Sequence, residues 1–163
     1  MFEAGTLSDL EECLAAEFEK IFAGRTFTNS IGNKVPIKSF VHSLPIKNGY
    51  DEEPKNEDLP EPYIVSEIEG GKRAAPDDPH VVSMAVVICV CDDNTARQGH
   101  KDTLDIIQHI VERFEKNPCL AGKFVLQHPL DWSLSDEDTY PYYYGGLIMN
   151  FEVVAIGRED PLA

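Results

Sequence analysis

The chain has 163 residues, of which 42% are hydrophobic and 26% are charged, a balance that is ordinary for one soluble globular domain. The 29 acidic and 14 basic residues give a formal net charge of −15, which disfavours coating DNA, RNA or an anionic membrane because phosphate neutralisation requires clustered cations. No apolar run is long enough to predict a transmembrane helix, and the first ten residues are acidic where a signal peptide would be basic. Four cysteines without such a signal predict reduced thiols in a cytoplasm.

The first predicted elements are a helix and a strand. Apolar residues recur at three- and four-residue steps over residues 7–23 and predict an amphipathic helix. Ser8 is the expected N-cap, Glu11 would complete a capping box, and Gly24 is the expected stop. Alternating apolar residues over 35–42 predict the first strand, with one face formed by Val35, Ile37, Ser39 and Val41.

An acidic, proline-rich segment follows the first strand. Between Pro45 and Pro62 the chain carries four prolines and six acidic residues against two lysines. Such a segment offers little apolar surface for a core. We therefore expect residues 1–163 to form a single domain with a flexible acidic loop at about 45–61.

The remainder of the chain predicts four further strands and a second helix. The strands are expected at 63–69, 80–91, 123–134 and 146–156, and the helix at 97–116. The strand at 80–91 is apolar on both faces and should lie in the middle of a sheet with cover on at least one side. The resulting order, α-β-β-β-α-β-β, predicts an α+β fold with a mostly antiparallel sheet and both helices packed on one face.

Two side-chain patterns bear on metal chemistry. Cys89 and Cys91 would point to the same face of a strand and could approach one soft metal ion, but a zinc site needs four ligands and the sequence offers no second pair. Small buried side chains are the favoured interpretation of these two cysteines. His100 and His109 are out of phase on the predicted helix and cannot share a metal ion.

Nucleotide and hydrolase motifs are missing. The carboxylate clusters lack calcium-loop spacing and are best interpreted as solvated loops, although paired catalytic acids remain an alternative. The glycine pair at 70–71 begins a predicted loop that extends to Pro79, and neither this pair nor the one at 145–146 matches a phosphate-binding loop. We expect no catalytic residues, no bound metal and no cofactor.

An aromatic cluster is the remaining candidate for function. It consists of Trp132, Tyr140, Tyr142, Tyr143 and Tyr144, with Phe151 close by. Tyrosine and tryptophan combine a large apolar area with a polar tip, which suits a protein interface. Packing around a hairpin is the alternative, but three adjacent tyrosines in an extended segment cannot all face one core.

A family resemblance rests on three segments. The run 141–153, which closes on Arg158-Glu159-Asp160-Pro161, resembles a small structural protein of tailed phages and prophages of Gram-positive bacteria. The segment 102–107 followed by Asn117-Pro118 is similar to the same family, as is the strand 124–132 with its His128-Pro129-Leu130. The predicted order of elements is similar to the tail terminator (tail-completion, minor tail protein) family.

The resemblance implies a non-enzymatic virion assembly protein that forms a homo-oligomeric, usually hexameric, ring on the tail tube. Its implied partners are further copies of itself, the tail tube protein and a head-completion or neck protein, with no membrane and no sequence-specific nucleic acid. Its implied location is the host bacterial cytoplasm during assembly and then the virion tail. The alternatives are another head-tail connector, a small enzyme that uses scattered carboxylates, and a binding module whose tyrosines clasp a peptide or sugar.

Overall fold

The computed structural model describes residues 6–45 and 59–153. Most of the predicted acidic loop, residues 46–58, lies outside this range, as do residues 154–156 of the last predicted strand. The elements in chain order are α1 (Leu7–Ile21), β1 (Phe27–Thr28), β2 (Lys34–Val35), β3 (Lys38–Val41), β4 (Tyr63–Lys72), β5 (His80–Cys91), α2 (Gly99–Lys116), β6 (Cys119–Leu120), β7 (Phe124–Leu134) and β8 (Tyr142–Val153).

The fold is α+β, as the sequence predicts. Six strands form one sheet in the order β3-β4-β5-β8-β7-β6, while β1 and β2 form a separate ribbon. All neighbours in the main sheet are antiparallel except β3 and β4, which run parallel. Strand β5, which at 12 residues is as long as β8, lies inside the sheet, as expected for a strand that is apolar on both faces.

Both helices pack on one face of the sheet. Helix α1 covers β3 and β4, and α2 covers β5, β7 and β8. The core between these layers takes alternate strand residues, because successive side chains in a strand point to opposite faces. Phe114 of α2 meets Phe151 of β8 edge to face, with ring centroids 5.7 Å apart. Within the described residues, neither helix is long and apolar enough to cross a bilayer.

The N-cap of helix α1 lies two residues before the predicted cap. Its N-cap is Thr6, whose hydroxyl accepts a hydrogen bond from the backbone N–H of Asp9 at 3.1 Å. The Asp9 carboxylate accepts in turn from the Thr6 backbone N–H at 3.2 Å. The predicted cap at Ser8 was therefore wrong, because Ser8 already lies in the first helical turn. The helix ends at Ile21, two residues before the predicted end.

The predicted strand at 35–42 is divided in two. Pro36 lies between the end of β2 at Val35 and the start of β3 at Lys38. Proline has no backbone N–H for a strand ladder, so the chain changes partner at this position. Val35 is buried, whereas Val41 is 37% exposed, so the face predicted for this strand does not stay intact.

Both glycine pairs lie inside strands. Gly70 and Gly71 lie in β4, whereas the sequence predicts a loop at these positions. Strand β8 begins at Tyr142 rather than at the predicted residue 146, so it includes Gly145 and Gly146. In both cases the glycines pair with β5, although the β4–β5 register shifts between Ile68 and Gly70. Pairing in the middle of a sheet outweighs the weak strand propensity of glycine.

Candidate protein interface

The aromatic residues of β8 point to opposite sides of the sheet. In the pairing with β5, Tyr142 lies opposite Cys91 and Tyr144 lies opposite Cys89. Both tyrosines therefore face away from the helices, and Tyr143 between them faces α2.

The sheet face opposite the helices is called the open face here. On β5 it is formed by Val81, Ser83, Ala85, Val87, Cys89 and Cys91, with their cross-strand neighbours on β3, β4, β8 and β7. Neither helix lies on it. The two ends of this face differ in burial and in chemistry.

One end of the open face carries an aromatic and thiol cluster around Cys89. Tyr63 and Val65 are almost buried there, and the Phe40 and Tyr63 rings meet edge to face at 6.5 Å. Burial raises the pKa of the Cys89 thiol to about 12 and also raises the pKa of Tyr144. Cys89 is therefore protonated at neutral pH and is a poor nucleophile and a poor metal ligand.

The Cys89-x-Cys91 pair does share one face, as its spacing predicts. Burial, assisted by the nearby carboxylate of Glu61, raises the pKa of the Cys91 thiol as well. In residues 6–45 and 59–153, no three histidine, cysteine or carboxylate side chains are grouped so that they could hold a metal ion. Both thiols serve as small apolar groups in the packing of this end of the sheet.

Tyr143 belongs to the packing beneath α2. Its ring lies against Gly99 at the first turn of α2, where a Cβ atom would overlap the ring. Close by, Thr103 places its methyl group against Gly145, where a Cβ would also overlap. These two contacts let α2 approach the sheet closely. Tyr143 therefore contributes mainly to the fold rather than to a surface.

Tyr140 is fixed in the loop before β8. Its hydroxyl donates a hydrogen bond to the backbone carbonyl of Asp93, and the Arg97 guanidinium lies 5.5 Å from its ring centroid. Arg97 also pairs with Asp138. The small cavity beneath this loop has a volume of about 70 Å³, enough for about two water molecules at about 30 Å³ each.

Trp132 is separated from the tyrosines. It pairs with Leu147 on β8, a residue that faces the helices, so its side chain is on the opposite side of the sheet from Tyr142 and Tyr144. Its side chain is 52% exposed, although Leu147 beside it is buried. The five predicted interface residues therefore do not form one surface: two lie on the open face, two on the helix side and one in a loop.

The sequence interpretation missed the middle of the open face. The side chains of Val87 and Ile148 are 42% and 36% exposed there. Ala85 of β5 lies directly opposite Ile148 of β8 in the strand pairing. The available signal was the second apolar face of the strand at 80–91, which needs a partner or remains exposed.

Beyond this apolar centre, the open face deepens into a groove beside the β4–β5 hairpin. The groove has a volume of about 580 Å³ and is floored by Gly70 and Gly71, with Pro79 and Val81 along its wall. Asn150 closes its inner end, where its side-chain amide donates a hydrogen bond to the Pro129 carbonyl. The lining is largely apolar and contains no histidine or cysteine among the described residues. A recess of this shape can receive a side chain or segment of another molecule.

A comparison with known proteins finds no protein-family model that matches this chain and no curated protein that is significantly similar to it.

Proposed function

We propose that this chain is a non-enzymatic virion assembly protein, a tail terminator that forms a ring on the end of a phage tail tube and joins the tube to the head. The proposal starts from the resemblance of residues 141–153, 102–107 and 124–132 to a structural protein of tailed phages and prophages. The similarity to the tail terminator family rests on the predicted order of elements. The observation that carries it further is the sheet itself, which has two different outer edges and one face without helices.

The two edges favour head-to-tail assembly. One edge is β3, and the other is β7, because β6 pairs with only the first two residues of β7, Phe124 and Val125. Within the described residues, no strand pairs with the outer side of β3 or with the rest of β7. A contact between unlike edges is heterologous, and such contacts generate closed rings when the rotation closes.

The charge of the chain fits a subunit that surrounds DNA without gripping it. A ring of subunits that each carry −15 repels the phosphate backbone rather than binding it. The same charge makes subunits repel one another. We therefore expect the ring to be favoured by moderate salt, since the Debye length falls from ~30 Å at 0.01 M to ~8 Å at 0.15 M.

Deletion of the gene in its phage or prophage tests the terminator role. Heads should still form and package DNA, while tails grow past their normal length because nothing caps the tube. Electron microscopy of the lysate distinguishes the alternatives. Normal tails already joined to heads would end the proposal, and normal tails lying free beside full heads would assign the chain to a neck protein instead.

Light scattering of the purified chain tests the ring directly. We expect a ring-sized species at 0.15 M salt that Trp132→Ala weakens, because Trp132 is exposed on β7 next to the free edge. Ile31→Ala is the matched control, since Ile31 is 43% exposed on the separate β1–β2 ribbon. Equal loss from both variants, or a ring that strengthens as salt is removed, would contradict the proposed arrangement.

A further inference from the structure

The middle of the open face has a regular pattern of charge. One row runs across four strands in the order Glu67, Ala85, Ile148 and Asp131, because Ala85 pairs with both Glu67 and Ile148, and Ile148 pairs with Asp131. The row is therefore apolar in the middle and has a carboxylate at each end. With strands ~4.8 Å apart, the two carboxylate-bearing residues are separated by ~14 Å along the row.

The centre of this row is accessible. Ile148 and Val87 are 36% and 42% exposed, and they flank the space above Gly146. A Cβ at Gly146 would contact only the Val86 carbonyl, at 3.2 Å, so this position is a shallow depression in the face. An apolar side chain from another molecule can enter it and remove Ile148 and Val87 from water.

The charged groups nearest this centre are acidic. Glu67 and Asp131 are exposed at the ends of the row, and the His42 ring lies 4.0 Å from the Glu67 carboxylate. Lys38 and Lys72 lie on opposite sides of the central row along the strands, and Glu152 shares the cross-strand row of Lys72. The central row itself therefore presents apolar surface bounded by two carboxylates.

We propose that the open face binds a cationic amphipathic segment of a partner protein, with apolar residues over Ile148 and Val87 and a basic residue beside each of Glu67 and Asp131. Charge complementarity selects this occupant. A second copy of the chain carries −15 and would bring further carboxylates to the face. The proposal rests on the sheet face alone and does not depend on the terminator role.

A pair of designed peptides tests the charge requirement. The first has leucines on one side of a helix and an arginine at each end, and the second has glutamates in place of the arginines. We expect the arginine peptide to bind, with shifts of the Ile148 and Val87 methyl signals in the NMR spectrum, and the glutamate peptide to bind at least about tenfold more weakly. Absence of binding by the arginine peptide, or shifts confined to the helix layer, would overturn the proposal.

Matched variants test whether the row itself is responsible. The double variant Glu67→Lys and Asp131→Lys should weaken binding of the arginine peptide at least about tenfold. The control is Glu19→Lys with Glu115→Lys, which makes the same charge change at exposed positions on the two helices. Equal loss in both double variants would mean that only net charge attracts the peptide, and the proposal would fail.

Two further measurements keep the outcome clear. Thermal unfolding of each variant checks that the fold is retained, which we expect because every substituted residue is exposed. Ile148→Ser supplies an independent variant of the apolar centre and should also weaken binding. Self-association of the unmodified chain that Ile148→Ser abolishes would assign the face to a second copy and overturn the proposed partner.

Discussion

The two faces of the main sheet use the same strands for different purposes. On the helix side, Met84 and Phe151 are completely buried, whereas on the open face Val87 and Ile148 remain 42% and 36% exposed. The helix side therefore contributes most of the apolar burial that stabilises the fold. The open face contributes less to folding, so its side chains are available for contact with another molecule.

The prediction with the largest expected effect compares substitutions on the two faces of β8. Phe151→Ala should lower the free energy of unfolding by about 3–5 kcal/mol, because it removes a buried ring and leaves a cavity. Ile148→Ser, three residues earlier on the open face, should change it by less than about 1 kcal/mol. Urea unfolding of both variants measures the difference. Similar losses in the two would show that the open face is covered in the isolated protein.

A smaller effect separates two adjacent glycines. Gly145 faces α2, where a Cβ would overlap the Thr103 methyl group, so Gly145→Ala should cost about 1–3 kcal/mol. Gly146 faces the other way, and Gly146→Ala should cost less because its Cβ would meet only the Val86 carbonyl. Thermal unfolding measures both. A larger loss at Gly146 would reverse the assignment of the two faces.

Alkaline pH sharpens the comparison within the open face. Because burial raises the pKa of Cys89 from 9.0 to about 12, its stabilising contribution is complete below pH 9 and is lost as pH rises toward 12. The unfolded chain releases this proton earlier, so stability should fall by up to about 1.4 kcal/mol per pH unit in that window. Urea unfolding at pH 8, 9 and 10 measures the slope. Cys89→Ala should reduce this slope relative to the unsubstituted chain, and an unchanged slope would contradict the assignment to Cys89.

The smallest expected effect compares a carboxylate in the helix layer with a carboxylate on the open face. Arg113 of α2 donates to the Glu17 carboxylate of α1 at 2.5 Å, and both side chains are largely covered. Glu17→Gln should therefore cost about 1 kcal/mol. Glu67→Gln on the open face should be close to neutral because Glu67 is exposed. A comparison of midpoints in urea checks this order, and a larger loss at Glu67 would contradict it.

The sequence predicts the regular parts of this fold well. The amphipathic period of both helices and the two-sided apolar pattern of residues 80–91 lead to the observed α+β class and to the inner position of β5. The ends of the strands are harder to predict from sequence where pairing with a distant strand determines them. Gly70 and Gly71 are predicted to begin a loop and Gly145 to precede the last strand, yet all three lie in strands because β5 pairs with them.

The candidate surface was harder to predict because it depends on register between distant strands. The alternation of side chains along a strand is enough to predict that Tyr143 faces the opposite side of the sheet from Tyr142 and Tyr144. The acidic row, however, requires the irregularity between Gln127 and Asp131, which shifts β7 along β8. An unshifted ladder would place residue 129 opposite Ile148 instead of Asp131. A local shift of this kind has no signal in the hydrophobic pattern of the chain.

The position of β8 sets the order in which the chain can fold. β8 lies between β5 and β7 in the sheet, yet every other described strand precedes it in the sequence. During synthesis, the β3–β5 and β6–β7 parts of the sheet therefore exist before the strand that joins them. Until β8 inserts, the facing edges of β5 and β7 are unpaired and can capture strands of other nascent chains. Rapid synthesis through residue 153 therefore shortens the time during which these two edges are exposed.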